Sequence, residues 1–238
     1  MTETHATAGV DDWSVSFRFE CNGTNWRVLR LALDERMSTP VSGTLRLVGE
    51  QGDDPTALLG QAALLTMHQG DYERRIGGVI TRLEPLGRSS GLPHVRVALE
   101  SRVGLARRTR RWRIFQDIEP RELVARVLGV IPGVTFEDRL GRTYGRREYC
   151  VQHGEDDLTF VSRVLEDEGI SWFVESSGDG PIGDGSEVVV LSDAIDCFRG
   201  LEHRSVRKLG HSDQLRPGST SGRRHDPLGL GAVVEAGA

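Results

Sequence analysis

The stretch YCVQHGEDDL, Tyr149 to Leu158, gathers a thiol (Cys150), an imidazole (His153) and three carboxylates (Glu155, Asp156 and Asp157). Such side chains bind metals and move protons, provided they converge in one pocket. Here the order of residues spreads them over a strand end, a turn and the first turn of a helix. Asp156 and Asp157 fall at the N-cap and first helical positions, just before an apolar periodicity begins. Carboxylates at those positions accept orphan backbone N–H groups and oppose the helix dipole, an effect of roughly 0.5–2 kcal/mol for a good cap. Cys150 sits between Tyr149 and Val151 in a strand-like stretch and is expected to be buried, with His153 in the turn. The cluster is therefore expected to be structural: a helix cap at Asp156 and Asp157, with no catalytic, cofactor or metal residue.

Two other stretches mimic functional motifs. Gly178, Gly180 and Gly183 in GDGPIGDG match a dinucleotide-binding glycine pattern, but SEVVVLSD follows, which reads as a strand. Without a helix N-terminus after the glycines, the pyrophosphate has no dipole to rest on, and a hairpin loop is expected. RVGLARRTRRWRIF is dense in arginine, with Trp112 and Phe115 interleaved. Basic and aromatic residues together can hold single-stranded nucleic acid. They also suit a protein–protein contact, which the overall acidity favours, and Arg107, Arg108, Arg110, Arg111 and Trp112 are its candidate residues. No nucleophile elbow, zinc-protease motif or supported Ser-His-Asp set occurs.

The elements that carry these residues change character along the chain. In WSVSFRFE, Trp13, Val15, Phe17 and Phe19 alternate with polar residues, as in a half-buried strand. Asn22-Gly23 reads as a hairpin loop before a strand over Trp26 to Leu33. Ser42–Val48, Ala62–His68, Arg74–Glu84 and His94–Ser101 read as further strands, with Gly77 and Gly78 suggesting a bulge or sharp bend. Trp13, Phe17 and Phe19 are expected in a core or an inter-protomer contact. Closely spaced strands of this kind suggest a small antiparallel barrel or sandwich. Beyond residue 104, EPRELVARVLGVI reads as a helix opened by Pro120 and stopped by Pro132-Gly133. RREYCVQ reads as a strand and DDLTFVSRVLEDEG as a second helix with Gly169 just past its end. ISWFVE and EVVVLSD then read as a hairpin.

The 238 residues suit one large domain or two small ones. A net charge of −5 gives no electrostatic match to nucleic acid. Cys21, Cys150 and Cys197 are far apart, which argues against a disulfide framework or zinc finger and fits a reducing compartment. The polar start MTETHATAGVDDW shows no secretory signal, and no apolar run approaches the ~20 residues of a membrane span. The fold class read from these patterns is α+β, mainly β.

Several stretches in order resemble one family. LLGQAALLTMHQGDYERRIGGVITRLEPLG, HVRVALESRVGLARRTRRWRIFQDIEPRELVARVL and REYCVQHGEDDLTFVSRVLEDEGISWFVE, followed by VVVLSD, are similar to the N-terminal, phage-tail-hub-like region of VgrG-family type VI secretion spike proteins. The resemblance covers residues 13–195 and is most specific at REYCVQ and the acidic helix start. It implies a tube-like β-barrel over 1–103 and an α+β insertion domain over 104–195. Residues 196–238 are then a poorly ordered tail or the remnant of a second barrel. His153 stands where the family commonly has an aromatic residue. The resemblance further implies a structural hub or spike component of a contractile injection machine, in a copy lacking the second barrel and needle. Implied partners are two further copies in a homotrimer or a full-length spike homologue, a tail-tube (Hcp-like) hexamer, baseplate proteins and a toxin effector. Nucleic acid and stable membrane insertion are not implied. The location implied is cytoplasmic, with export by contractile injection and no signal peptide. The alternative is a stand-alone adaptor that binds a toxin cargo or a full-length spike.

Overall fold

The computed structural model of the chain describes residues 15–69, 72–176 and 186–194. Trp13, Cys197, the GDGPIGDG loop and the segment after 195 lie outside them. The first part is a run of antiparallel strands: β1 (Val15–Cys21), β2 (Thr24–Arg36), β3 (Thr39–Val48), β4 (Ala62–Gln69), β5 (Tyr72–Ser89) and β6 (Leu92–Glu100). They close into a barrel in the order β1-β2-β3-β6-β5-β4. Closure follows from β1, which pairs with β2 on one edge and with β4 along its whole length on the other. β5 pairs with β4 through its first half and with β6 through its second, the stagger a closed barrel needs.

Alternation decides which face turns inward. Leu45 and Leu47 on β3, and Val95, Val97 and Leu99 on β6, are buried with Phe19, Trp26, Leu31, Leu65 and Ile80. Thr44, Arg46 and Arg96 between them face out. Each fully buried side chain of this size contributes about 1.5–3 kcal/mol of transfer free energy. Asn22 and Gly23 both have positive φ (50° and 73°), the two-residue turn whose twist matches its strands. Gly77 and Gly78 do not form a bulge against β4, where pairing is continuous. The register shifts of β5 fall instead between Ile80 and Arg82 and between Pro85 and Gly87. Gly78 serves a close approach: a Cβ there would stand 2.7 Å from the Glu100 carbonyl oxygen.

The second part packs two helices and two small sheets around a separate apolar core. Its elements are β7 (Arg110–Ile118), α1 (Pro120–Leu128), β8 (Val134–Arg139), β9 (Arg147–Asp156), α2 (Asp157–Asp167), β10 (Ser171–Ser176) and β11 (Glu187–Ser192). β7 and β9 form a two-stranded ribbon, and β10, β11 and β8 form a sheet in that order. β10 and β11 pair antiparallel, as the hairpin reading requires, while β11 also pairs parallel with β8. α1 buries Leu123, Val124, Val127 and Leu128, and ends there, short of the Pro132-Gly133 stop read from the sequence, with Gly129 as its C-cap. α2 ends in a closed C-terminal turn: Gly169 takes φ 71°, its N–H reaches the Glu166 carbonyl and that of Ile170 reaches Leu165. Phe115 of β7 stacks on Phe160 of α2 at 5.6 Å between ring centres.

Glu187 ties the two parts together. Its buried carboxylate accepts from Ser101 Oγ (2.6 Å), Arg102 N (2.7 Å) and Val103 N (3.4 Å), where the chain leaves the barrel. Burial pushes this carboxyl up to about 7, against the pull of those donors. A second link joins the β2–β3 turn to β10: Ser38 N donates to the Trp172 carbonyl at 2.7 Å.

Candidate protein-contact site

The acidic stretch is drawn apart by its own secondary structure. Asp156 is the N-cap of α2; its carboxylate accepts from Thr159 N at 2.9 Å and Thr159 Oγ1 at 2.8 Å. Asp157, one residue on, turns the other way and is buried. It accepts from Arg113 Nη2 at 2.5 Å and Gln152 Nε2 at 2.8 Å, with Arg111 Nε at 3.5 Å. Gln152 Oε1 in turn accepts from Arg113 Nε at 2.8 Å. One carboxylate therefore fastens α2 to both strands of the ribbon. Glu155 pairs with Arg163 at 2.6 Å, and the Cys150 thiol lies in the core, where burial raises its pKa. Among the described residues no group of three His, Cys, Asp or Glu side chains is placed to hold a metal ion.

His153 is not in a turn. It lies within β9 opposite Trp112 of β7, and a register shift follows before the next pair, Asp156 with Arg110. The reason lies in Gly154, which takes φ 70° within the strand. With no Cβ, it leaves room for the Trp112 indole; an added Cβ would sit 3.0 Å from that ring. The Trp112 and His153 rings meet edge to face at 4.0 Å.

The arginine-rich run is likewise divided by the pleat. Arg107 and Arg108 belong to a 3-10 turn, Arg102–Arg108, and Arg108 reaches Glu100 at 3.4 Å. Arg113 turns inward to Asp157, and Arg111, still half-exposed, reaches the same carboxylate at 3.5 Å. Arg110, Trp112, Ile114 and Gln116 alternate with them and are exposed. On β9, His153, Val151 and Tyr149 stand opposite Trp112, Ile114 and Gln116. Trp112 is 70% exposed, Ile114 61%, Tyr149 56% and Val151 37%. Four large apolar side chains thus share the outward face of one short ribbon. Of these, only Trp112 was singled out from the sequence. The signal for the rest was the alternation in WRIFQ and YCVQH, which puts apolar residues on both faces.

The chain matches the sequence pattern of the family described as Phage tail baseplate hub (GPD) over residues 34–234. It is 34% identical over 192 residues to the type VI secretion system spike protein VgrG5 of Pseudomonas aeruginosa, covering 79% of this chain and 23% of that protein. It is 32% identical over 168 residues to VgrG1b of the same organism, covering 69% and 22%. The chain thus spans less than a quarter of the length of these relatives. Among solved structures, the E. coli c3393 protein superposes with TM-score 0.64 at 28% identity, over 75% of this chain and 49% of that one. It is described as a component of the type VI secretion system with structural similarity to the T4 bacteriophage tail proteins gp27 and gp5. The 43 kDa tail protein of prophage MuSo2 from Shewanella oneidensis shares the fold at TM-score 0.55 and 12% identity, over 73% of this chain and 53% of that one. By sequence and by fold, this chain belongs to the phage tail baseplate hub family.

Proposed function

We propose that this chain is a structural hub component of a contractile injection machine of the type VI secretion kind, working through protein contacts. The observation that carries the reading is the family match across residues 34–234, laid over a closed barrel with an α+β unit attached at its exit. The barrel, ending near residue 103, is the element that assembles. The α+β unit from about 104 to 195 decorates it and holds the outward-facing ribbon. The spike relatives and the phage-tail neighbours support a trimer associated with baseplate proteins, and docking on a tail-tube hexamer is part of the proposal. Each part has its own core of packed aliphatic and aromatic side chains, as a structural building block requires. Size-exclusion chromatography with light scattering tests the assembly. The expected mass is three times that of the protomer at micromolar concentration. A strict monomer over the whole accessible concentration range would overturn the trimeric reading.

A further inference from the structure

We infer that a row of arginines on the outer wall of the barrel docks a carboxylate-bearing segment of a partner protein. Arg46 of β3 has an arginine opposite it on each side, Arg30 on β2 and Arg96 on β6. Glu84 of β5 continues the row beyond Arg96. The row crosses four adjacent strands, about 14 Å at the usual strand spacing. Like charges set directly opposite each other across a sheet work against folding. The barrel does not require them there, since the next row of the same face carries Ala32, Thr44 and Ala98. Uncharged residues suffice to build the wall, so what the arginines gain comes from outside it. The inference deepens the proposed function, because it gives the assembling barrel a partner of stated charge.

The carboxylates nearby do not cancel the row. Glu84 bonds Arg96 at 2.7 Å, with both side chains more than half exposed and open to competition. Arg82 of β5, opposite Ala98, adds a further cation one row along. Among the described residues, neither Arg46 nor Arg82 has a carboxylate partner. The row beyond Arg82 holds Asp34 and Glu100, but Asp34 is bonded to Arg36 at 2.8 Å and Glu100 is reached by Arg108 at 3.4 Å. On the other side, Arg27, Val48 and His94 form a row without an acid. The two central rows thus set Arg30, Arg46, Arg96 and Arg82 against Glu84 alone, on a chain whose net charge is −5. A guanidinium is a planar fork that meets a carboxylate with two parallel bonds. Carboxylates on alternate residues of an extended segment stand about 7 Å apart, a spacing that neighbouring arginine arms can span. No phenylalanine, tyrosine or tryptophan stands in these rows, so bases have nothing to stack on. Protein carboxylates therefore fit the wall better than a nucleic acid does.

The test titrates the full chain at low ionic strength with a labelled ten-residue peptide that alternates glutamate with serine. Its lysine twin and a single-stranded oligothymidine are the comparisons. The glutamate peptide should bind, and the lysine twin should bind at least tenfold more weakly. Arg46→Glu should weaken binding at least tenfold. Arg126→Glu makes the same charge change on α1, outside the barrel, and should leave binding within twofold. Arg46→Thr should also weaken binding while its urea midpoint stays level or rises, because the row loses its middle cation. Equal binding of both peptides, no binding, tighter binding of oligothymidine, or equal losses from Arg46→Glu and Arg126→Glu would overturn the inference. A lower urea midpoint for Arg46→Thr would also overturn it, because the row would then serve the fold. Self-association abolished by Arg46→Glu, with no peptide bound, would assign the row to a second copy instead. The oligomeric mass is read separately: a monomer that binds the glutamate peptide keeps this inference and sinks the trimer, and a trimer that ignores it does the reverse.

Discussion

The barrel wall and the β7–β9 ribbon are both antiparallel β-structure, yet they spend their apolar residues differently. In the wall, inward Leu45, Leu47, Val95 and Val97 alternate with outward Thr44, Arg46 and Arg96. The outer surface stays polar even where like charges meet, as at the Arg46–Arg96 pair, and Glu84 relieves that pair by bonding Arg96 at 2.7 Å. In the ribbon, Phe115 and Cys150 face the core, and Trp112, Ile114, Val151 and Tyr149 face out. Burial explains the inner rows of both. It leaves the outer row of the ribbon unexplained, which is why that row is assigned to contact.

The comparison is tested by variants that separate folding from contact. The largest effect belongs to the wall. Phe19 is fully buried at the barrel centre, and Phe19→Ala should cost about 3–5 kcal/mol in urea unfolding through lost burial and the cavity left behind. A loss under 1 kcal/mol would mean the wall is not a packed core.

Next comes the joint between the two parts. Glu187 binds a proton more readily when folded, its carboxyl standing near 7 rather than the unfolded value near 4.5. The folded state then holds more protons between those values, so the contribution of Glu187 to stability is fully present below pH 4.5 and is lost as pH rises through 7. The size is on the order of 3 kcal/mol. Glu187→Gln should flatten this part of the pH profile, and an unchanged slope in the variant would place its origin elsewhere.

The two adjacent aspartates should differ from each other. Asp157→Ala removes the buried partner of Arg113 and should cost roughly 2–4 kcal/mol, since a partly buried cation loses its carboxylate. Asp156→Ala removes an exposed cap and should cost about 1 kcal/mol. Equal losses in thermal melts would show that Asp157 acts only as a second cap.

The barrel strands were legible in the sequence because each has one apolar face, so alternation alone sets the register. The start of α2 was legible because Asp156 and Asp157 stand directly before an apolar periodicity. The ribbon was not. β7 hides in an arginine run, and both of its faces carry apolar residues, so no period marks an inside. What sorts Arg111 and Arg113 from Arg110 is Asp157, more than forty residues away in the chain, and no local pattern shows that pairing. β8, in VTFEDR, is short and polar and takes its strand form from parallel pairing with β11. Of the site residues missed from sequence, Tyr149 and Val151 were expected to be ordinary strand positions, and Ile114 was assigned to no element. His153 was placed in a turn because His-Gly followed by acids reads as one, whereas Gly154 keeps the strand going at positive φ.

The smallest expected effect is the most direct test of the contrast between wall and ribbon. Trp112 and Ile114 are each more than 60% exposed. The double variant Trp112→Ser/Ile114→Ser should therefore change the urea unfolding free energy by no more than about 1 kcal/mol, as surface substitutions do. A loss of 3 kcal/mol or more would contradict the account, because the outward face would then belong to the folding core and not to a contact.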